Sequence, residues 1–474
     1  MFPLDPCLSP LQLKQGQNNI DICPVTDPLT MFSRVSSRQS TSVLLVTLFC
    51  IGLMATMPSL GASISSEPAL EEEPLSVILM IGDGMGYEHV KLARWVEVGK
   101  NGTLRMENYD FTASVLTHSA NQEITDSAAA GTALATGFKT NNDMISVDPS
   151  EEPLETILEI AEEQNKSTGV VSTCFVQHAT PASFYAHVVS RSSYSEIARQ
   201  AVEEVDVDVI LGGGDSYFSS SQLTTMQSRG YSLVTNRSQL LSVSSGKVLG
   251  LFSDSHMDYE QDRDFTLTPS LAEMTGKSLD LLSDDPDGFF LMVEGGRIDH
   301  AGHDNDPVDD ALDTIAFDEA VGVAMDYVGS HSNTILLVTA DHETGGLTVI
   351  SENMNDSLPD ASMTENENRS LRVARVENVT VSWSTDYHTS TPVPLFCFGE
   401  AFEGLPENYT IDNTDVFRLM DDYYSGAELS MTNVTTSTTT TTTSTSTTTT
   451  TTTSTTTTTT TVPSVVPPVM LAIV

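Results

Sequence analysis

Basic residues are scarce. The 474-residue chain carries 21 Lys and Arg against 65 Asp and Glu, a formal net charge of −44. General binding to nucleic acid needs a basic footprint, so that class of function is excluded. A surface this acidic repels anions, and an anionic substrate must be drawn in by something local, such as bound cations. Cysteine is scarce too: Cys7, Cys23 and Cys50 precede the expected mature chain, which leaves Cys174 and Cys397. Each of these sits in an apolar, strand-like run, where two buried thiols or a disulfide both stay open, and no cysteine-based metal site is read. Long apolar runs are absent: the segment VLLVTLFCIGLMATM, residues 43–57, is short for a membrane span of about 20 residues. No Gly-x-Ser-x-Gly elbow occurs around Ser127, which disfavours an acyl-transfer serine.

What is there begins with an address. Arg34 and Arg38 precede the apolar run, and Pro58 with the small residues of 59–63 follows it. This is the pattern of a secretory signal peptide, with an uncleaved signal anchor as the alternative. Met31 stands at its start, so residues 1–30 read as an upstream extension. Asn-x-Ser/Thr sequons at Asn101, Asn165, Asn236, Asn355, Asn368, Asn378, Asn408 and Asn433 fit a secreted or cell-surface glycoprotein. Residues 1–62 are read as extension and signal peptide, 63–74 as an acidic linker, 75–425 as the catalytic domain, and 426–474 as a disordered stalk with a short apolar tail. The stalk is dominated by Thr and Ser and cannot form a core. Its end, VPSVVPPVMLAIV, is interrupted by Pro463, Pro467 and Pro468, which departs from a lipid-anchor signal. Membrane or wall attachment through the stalk stays open.

Between 75 and 425 short apolar strands alternate with helical patterns. Strands are expected at 77–81, 169–173, 207–211, 289–293, 334–339 and 394–398, and helices at 88–98, 127–136, 154–164, 193–205 and 307–328. Such alternation predicts an α/β fold, a doubly wound, mostly parallel central sheet flanked by helices. Ligands of such sheets bind at the carboxyl ends of the strands.

Acidic and histidine residues gather at those ends. Asp83 stands in Ile81-Gly82-Asp83-Gly84-Met85-Gly86, where the glycines let the chain turn tightly. In Thr125-Asp126-Ser127-Ala128-Ala129-Ala130-Gly131-Thr132 a serine opens a run of small helix-compatible residues. A helix N-terminus suits a phosphate; the plain reading is a capping residue. Glu294-Gly295-Gly296-Arg297-Ile298-Asp299-His300-Ala301-Gly302-His303 follows the strand FFLMV. Asp299 and His303 are one helical turn apart and offer zinc a carboxylate and an imidazole. Thr339-Ala340-Asp341-His342-Glu343-Thr344-Gly345-Gly346 follows the strand TILLV, and His388 precedes Pro392-Val393-Pro394. A mixed nitrogen and oxygen set without thiolates fits two zincs and one harder ion.

These motifs, in this order, resemble the alkaline phosphatase family, and residues 124–132 match its nucleophile signature. The resemblance implies that Ser127 is the nucleophile, forming a phosphoserine. It assigns Asp299, His303 and His388 to a first zinc and Asp83, Asp341 and His342 to a second. Asp83, Thr180 and Glu294 would hold one magnesium. Arg191 would clamp the phosphate, oriented by Asp126; it follows Ser190 where relatives often carry asparagine, and Arg199 is the alternative. His178 and His300 match positions that vary in the family. The implied activity is hydrolysis of small phosphate monoesters by a homodimer. The rival readings are a phosphodiesterase of the same superfamily and a catalytically dead adhesion protein.

Overall fold

The computed structural model describes residues 74–354, 357–406 and 409–430. The extension, the signal peptide, nearly all of the acidic linker and the Thr-rich stalk lie outside them. The strands are β1 (Ser76–Gly82), β2 (Phe111–Leu116), β3 (Ser167–Phe175), β4 (Val209–Gly213), β5 (Ser232–Val234), β6 (Val248–Leu251) and β7 (Phe289–Gly295). They continue as β8 (Thr334–Thr339), β9 (Glu343–Thr344), β10 (Thr348–Glu352), β11 (Val379–Ser382), β12 (His388–Thr389), β13 (Val393–Phe398) and β14 (Tyr409–Asp412).

Ten of them form one sheet in the order β14-β2-β13-β8-β1-β7-β3-β4-β6-β5. β1 reads SVILMIG and is buried along its whole length, as a strand covered on both faces must be. It pairs in parallel with β7 and β8, and β7 pairs in parallel with β3. The exception is β13, antiparallel to both β8 and β2. That reversal brings the amino end of β13 to the same edge of the sheet as the carboxyl ends of β8, β1, β7 and β3. His388, just before β13, thereby joins residues that follow the parallel strands. Strands β2, β5, β6 and β14 of this sheet lie outside the expected set, as do β9, β10, β11 and β12 beside it. β5 has three residues and β2 alternates buried and half-buried positions, so neither presents a long apolar run.

The five expected helices are present, while others, among them Ser220–Ser228, Leu271–Leu282, Glu365–Val376 and Asn413–Tyr424, lie outside the expected set. Tyr87–Glu97, Ser127–Thr136, Tyr194–Glu203 and Pro307–Val328 correspond to expected segments, and Ile157–Glu163 is shorter than expected. In Ser127–Thr136 all ten residues are buried. Its small side chains allow that: a Cβ on Gly131 would stand 2.8 Å from Ser183 Oγ. The helix ends at Gly137 in the left-handed region, φ 73°. Pro307–Val328 starts with Asp306, whose carboxylate accepts from the backbone N–H groups of Val308 and Asp309, and with Pro307 in the first turn. Cys174 on β3 and Cys397 on β13 are both buried and free, so the disulfide alternative does not hold.

Asp306→Ala removes the cap of this long helix and is expected to lower stability by about 1 kcal/mol. Denaturant unfolding should show a lower midpoint at an unchanged slope.

Candidate active site

Three histidines and four carboxylates meet at the sheet edge. Asp83 follows β1, Glu294 ends β7, Asp299 and His303 lie in the helix Arg297–Asp304, and Asp341 and His342 follow β8. Asp83, Glu294, Asp341 and His342 have no exposed surface, and Asp299 retains 5%. Close packing depends on Gly84, whose backbone is at φ 76° and whose Cβ would stand 2.8 Å from Asp299 Cα.

The imidazoles show what the cluster is built for. His303 Nδ1 lies 2.7 Å from the Asp386 carbonyl and His388 Nδ1 lies 2.8 Å from the Thr125 carbonyl. A carbonyl only accepts, so each Nδ1 carries the proton and each Nε2 a lone pair. His342 follows the same logic through a relay. Thr344 Oγ1 donates to Asp299 Oδ1 at 2.6 Å and therefore accepts from His342 Nδ1 at 3.2 Å. The resulting lone pairs converge: His303 Nε2 and His388 Nε2 are 3.1 Å apart, with Asp299 oxygens 3.4 Å and 3.5 Å away. His342 Nε2 stands 3.2 Å from Asp341 Oδ2 and 3.6 Å from Asp83 Oδ1. Facing lone pairs and carboxylate oxygens repel unless a cation lies between them.

The third group is all oxygen. Thr180 Oγ1 lies 3.3 Å from Asp83 Oδ2, and Glu294 accepts from Ser172 Oγ. Asp83 Oδ1, Asp341 Oδ2 and Glu294 Oε1 are buried with no hydrogen-bond partner. Burial pushes Asp341 and Glu294 up to about 7, with Asp299 and Asp341 respectively adding repulsion. Burial also raises Asp83 well above its usual range, helped by Asp341, Asp299 and Glu294. Burial opposes ionisation of Asp299 as well, and the donation from Thr344 Oγ1 to its Oδ1 favours the carboxylate. Burial keeps His342 and His388 neutral, the form that ligates. The donors thus fit two borderline cations on mixed nitrogen and oxygen groups, and one hard cation on oxygen.

Beside them stands Ser127, 2% exposed at the first turn of its helix, with Oγ 3.3 Å from His342 Nε2. Asp126 does two jobs. One oxygen accepts from Ala129 N–H at 3.1 Å and caps the helix; the other accepts from Arg191 at 3.0 Å. Arg191 also approaches His178 Nε2 at 3.2 Å. Burial alone would lower Arg191, but Asp126 raises it, so it stays charged. Arg199 is spent elsewhere, on Glu196, Glu203 and Glu204.

Ser172, Thr344 and the carbonyls of Thr125 and Asp386 went unread in the sequence. Thr344 at least lies inside the motif around His342; a serine on a strand and two backbone carbonyls carry no signal. A further support is His89, fully buried in the helix Tyr87–Glu97. Its Nδ1 lies 2.6 Å from Asp310 Oδ2, and its Nε2 lies 3.0 Å from the Thr344 carbonyl and 3.3 Å from Glu343. Burial opposes its charge, but Asp310 and Glu343 raise it to about 10. As an imidazolium it ties the turn after β8 to two helices.

Stability from charged His89 is fully present below its ordinary value of 6.5 and is lost as pH rises through about 10. His89→Gln should cost about 3 kcal/mol at neutral pH, since it breaks a buried charge pair. Denaturant unfolding across that pH window should show a shallower fall in stability for the variant.

A family profile described as alkaline phosphatase matches residues 75–367. Alkaline phosphatase 4 of Bacillus subtilis (strain 168) is 41% identical over 288 residues, covering 58% of this chain and 62% of its own length. Alkaline phosphatase 3 of the same organism is 32% identical over 410 residues, covering 73% of this chain and 88% of its own. The solved structure of a cold-active alkaline phosphatase from the psychrophile Shewanella sp. is 32% identical, with a TM-score of 0.65 over 73% of this chain and 99% of that one. Sequence order, sheet topology and these likenesses agree, and the chain belongs to the alkaline phosphatase family.

Proposed function

We propose that the protein hydrolyses phosphate monoesters to an alcohol and inorganic phosphate through a phosphoserine at Ser127. The observation that carries this reading is the Asp126 carboxylate, which fixes the nucleophile's helix with one oxygen and Arg191 with the other. Nucleophile and phosphate clamp are thereby held in one relation. Asp299, His303 and His388 would hold one zinc, Asp83, Asp341 and His342 a second, and Asp83, Thr180 and Glu294 a magnesium ion. Bound there, the cations would supply Lewis acidity and charge compensation for in-line phosphoryl transfer.

The chain's own residues do the rest. Arg191 pairs with two non-bridging phosphate oxygens through its planar fork. The N-terminus of the helix Ser127–Thr136 turns its free N–H groups and positive dipole end toward the phosphate. Ser127 gives up its hydroxyl proton as Oγ attacks phosphorus and the bond to the alcohol oxygen breaks, and the departing alkoxide takes up one proton, so none is gained or lost overall. Water then attacks the phosphoserine from the vacated side, releasing phosphate and restoring the hydroxyl. Thr344 and the carbonyls of Thr125 and Asp386 hold the three imidazoles in the tautomer that faces the pocket.

We place the enzyme outside the cell. The basic and apolar segment 34–63 supports this reading. So do the sequons: Asn101, Asn165 and Asn378 are exposed and Asn236 and Asn368 half-exposed, as glycosylation requires. No helix among the described residues is long and apolar enough to cross a membrane. Assembly as a homodimer and attachment through the stalk belong to the same proposal.

A chromogenic phosphate monoester and its diester, assayed from neutral to alkaline pH, test the reading. Monoester turnover should exceed diester turnover, vanish with chelator and return with zinc plus magnesium. Ser127→Ala should lower kcat by roughly 10⁴-fold, and Arg191→Ala should lower kcat/KM roughly a thousandfold. Diester preference would move the chain to a neighbouring branch of the superfamily. No turnover of either by zinc-loaded protein would favour the adhesion reading.

A further inference from the structure

A second group of soft donors stands beside the three already described. The rings of His256 and His300 are 4.4 Å apart between centroids, and His178 lies 5.5 Å from the first and 5.8 Å from the second. Next to them is Cys174, buried on β3. Its sulfur and one nitrogen from each of His256 and His300 all lie within 4.8 Å of one another. Tetrahedral zinc with Zn–S of about 2.3 Å and Zn–N of about 2.0 Å has ligand atoms roughly 3.5 Å apart, so a shift of about an ångström per side chain closes the site.

Two further observations point to a ligand. His256 Nδ1 is buried with no hydrogen-bond partner. Gly296 leaves the sulfur open, for a Cβ there would stand 2.6 Å from Cys174 Sγ. Its φ of −78° is one any residue adopts, so the need at this position is for space and not for backbone freedom.

We infer that Cys174, His256 and His300 form a further metal site, selective for zinc or another thiophilic divalent cation over magnesium. The three side chains leave one position for water. Binding releases the thiol proton to solvent as the metal–sulfur bond forms. The contact of Arg297 with His300 Nδ1 at 3.0 Å is exchanged when His300 ligates, and the guanidinium keeps its stacking on Tyr259 at 3.8 Å. Cys174 also groups with His178 and Glu294, so the site adjoins the oxygen-lined group and, through His178, Arg191. The proposal departs from the expectation that the chain lacks a cysteine-based metal site; its ligands come from three separate segments, which leave no spacing motif in the sequence.

The test is cobalt substitution of the chelator-stripped full chain, with zinc content measured in parallel. Wild-type protein should show a near-ultraviolet thiolate-to-cobalt charge-transfer band. Cys174→Ser should abolish it. His256→Gln, at a half-exposed position, should weaken it, and each variant should hold about one equivalent less zinc. The inference is overturned if the band is missing while visible bands report cobalt on the nitrogen and oxygen groups. It is equally overturned if the band survives Cys174→Ser or zinc content is unchanged in both variants. Phosphatase turnover reads the other groups, so loss of turnover with the band retained counts against the proposed function and not against this site.

Discussion

Repulsion among buried carboxylates governs this molecule. Asp83, Glu294, Asp299 and Asp341 stand at one edge of the sheet with almost no water in reach. Ionised carboxylates in such surroundings are costly unless cations or donors face them. Much of the local structure reads as an answer. Gly84 lets two chains approach, Thr344 donates to Asp299, and Ser172 donates to Glu294. The imidazoles present lone pairs to the same space, so a bound cation would be faced by carboxylate oxygens and ring nitrogens together. In a protein with a formal charge of −44, the cations proposed at this edge of the sheet would supply the local positive charge that draws in a phosphate.

Rigidity comes from sharing. Asp126 is both helix cap and arginine anchor, and His89 joins Asp310 on one helix to the turn that carries His342. Shared groups tie functional positions to the core, so they move only with it. β1, wholly buried between β7 and β8, supplies the frame on which these turns rest. Short turns off rigid strand ends hold ligand atoms more tightly than long loops do.

Much of the site was legible in order along the chain. Apolar runs such as FFLMV and TILLV ended in Glu294 and Asp341, and the helix Pro307–Val328 stood where a helix was expected. Less visible was what depends on pairing. β2, β5, β6 and β14 are too short or too polar to stand out, and β13 reads like any apolar strand although it runs the other way. His256 was passed over because its loop carries no motif; it matters only once β3 and the helix Arg297–Asp304 bring Cys174 and His300 to it.

The sequence by itself determined the alternation of strands and helices, the identity of the carboxylates and imidazoles, and the serine at the head of a small-residue helix. Those features are local, set by hydrophobic period, glycine placement and capping. Tertiary structure alone decided which ligand meets which. The antiparallel turn of β13 delivers His388 to Asp299, and the carbonyls of Thr125 and Asp386 choose the tautomers of the imidazoles. A hydrogen bond across 263 residues leaves no trace in either segment, since its acceptor is a backbone atom that every residue has.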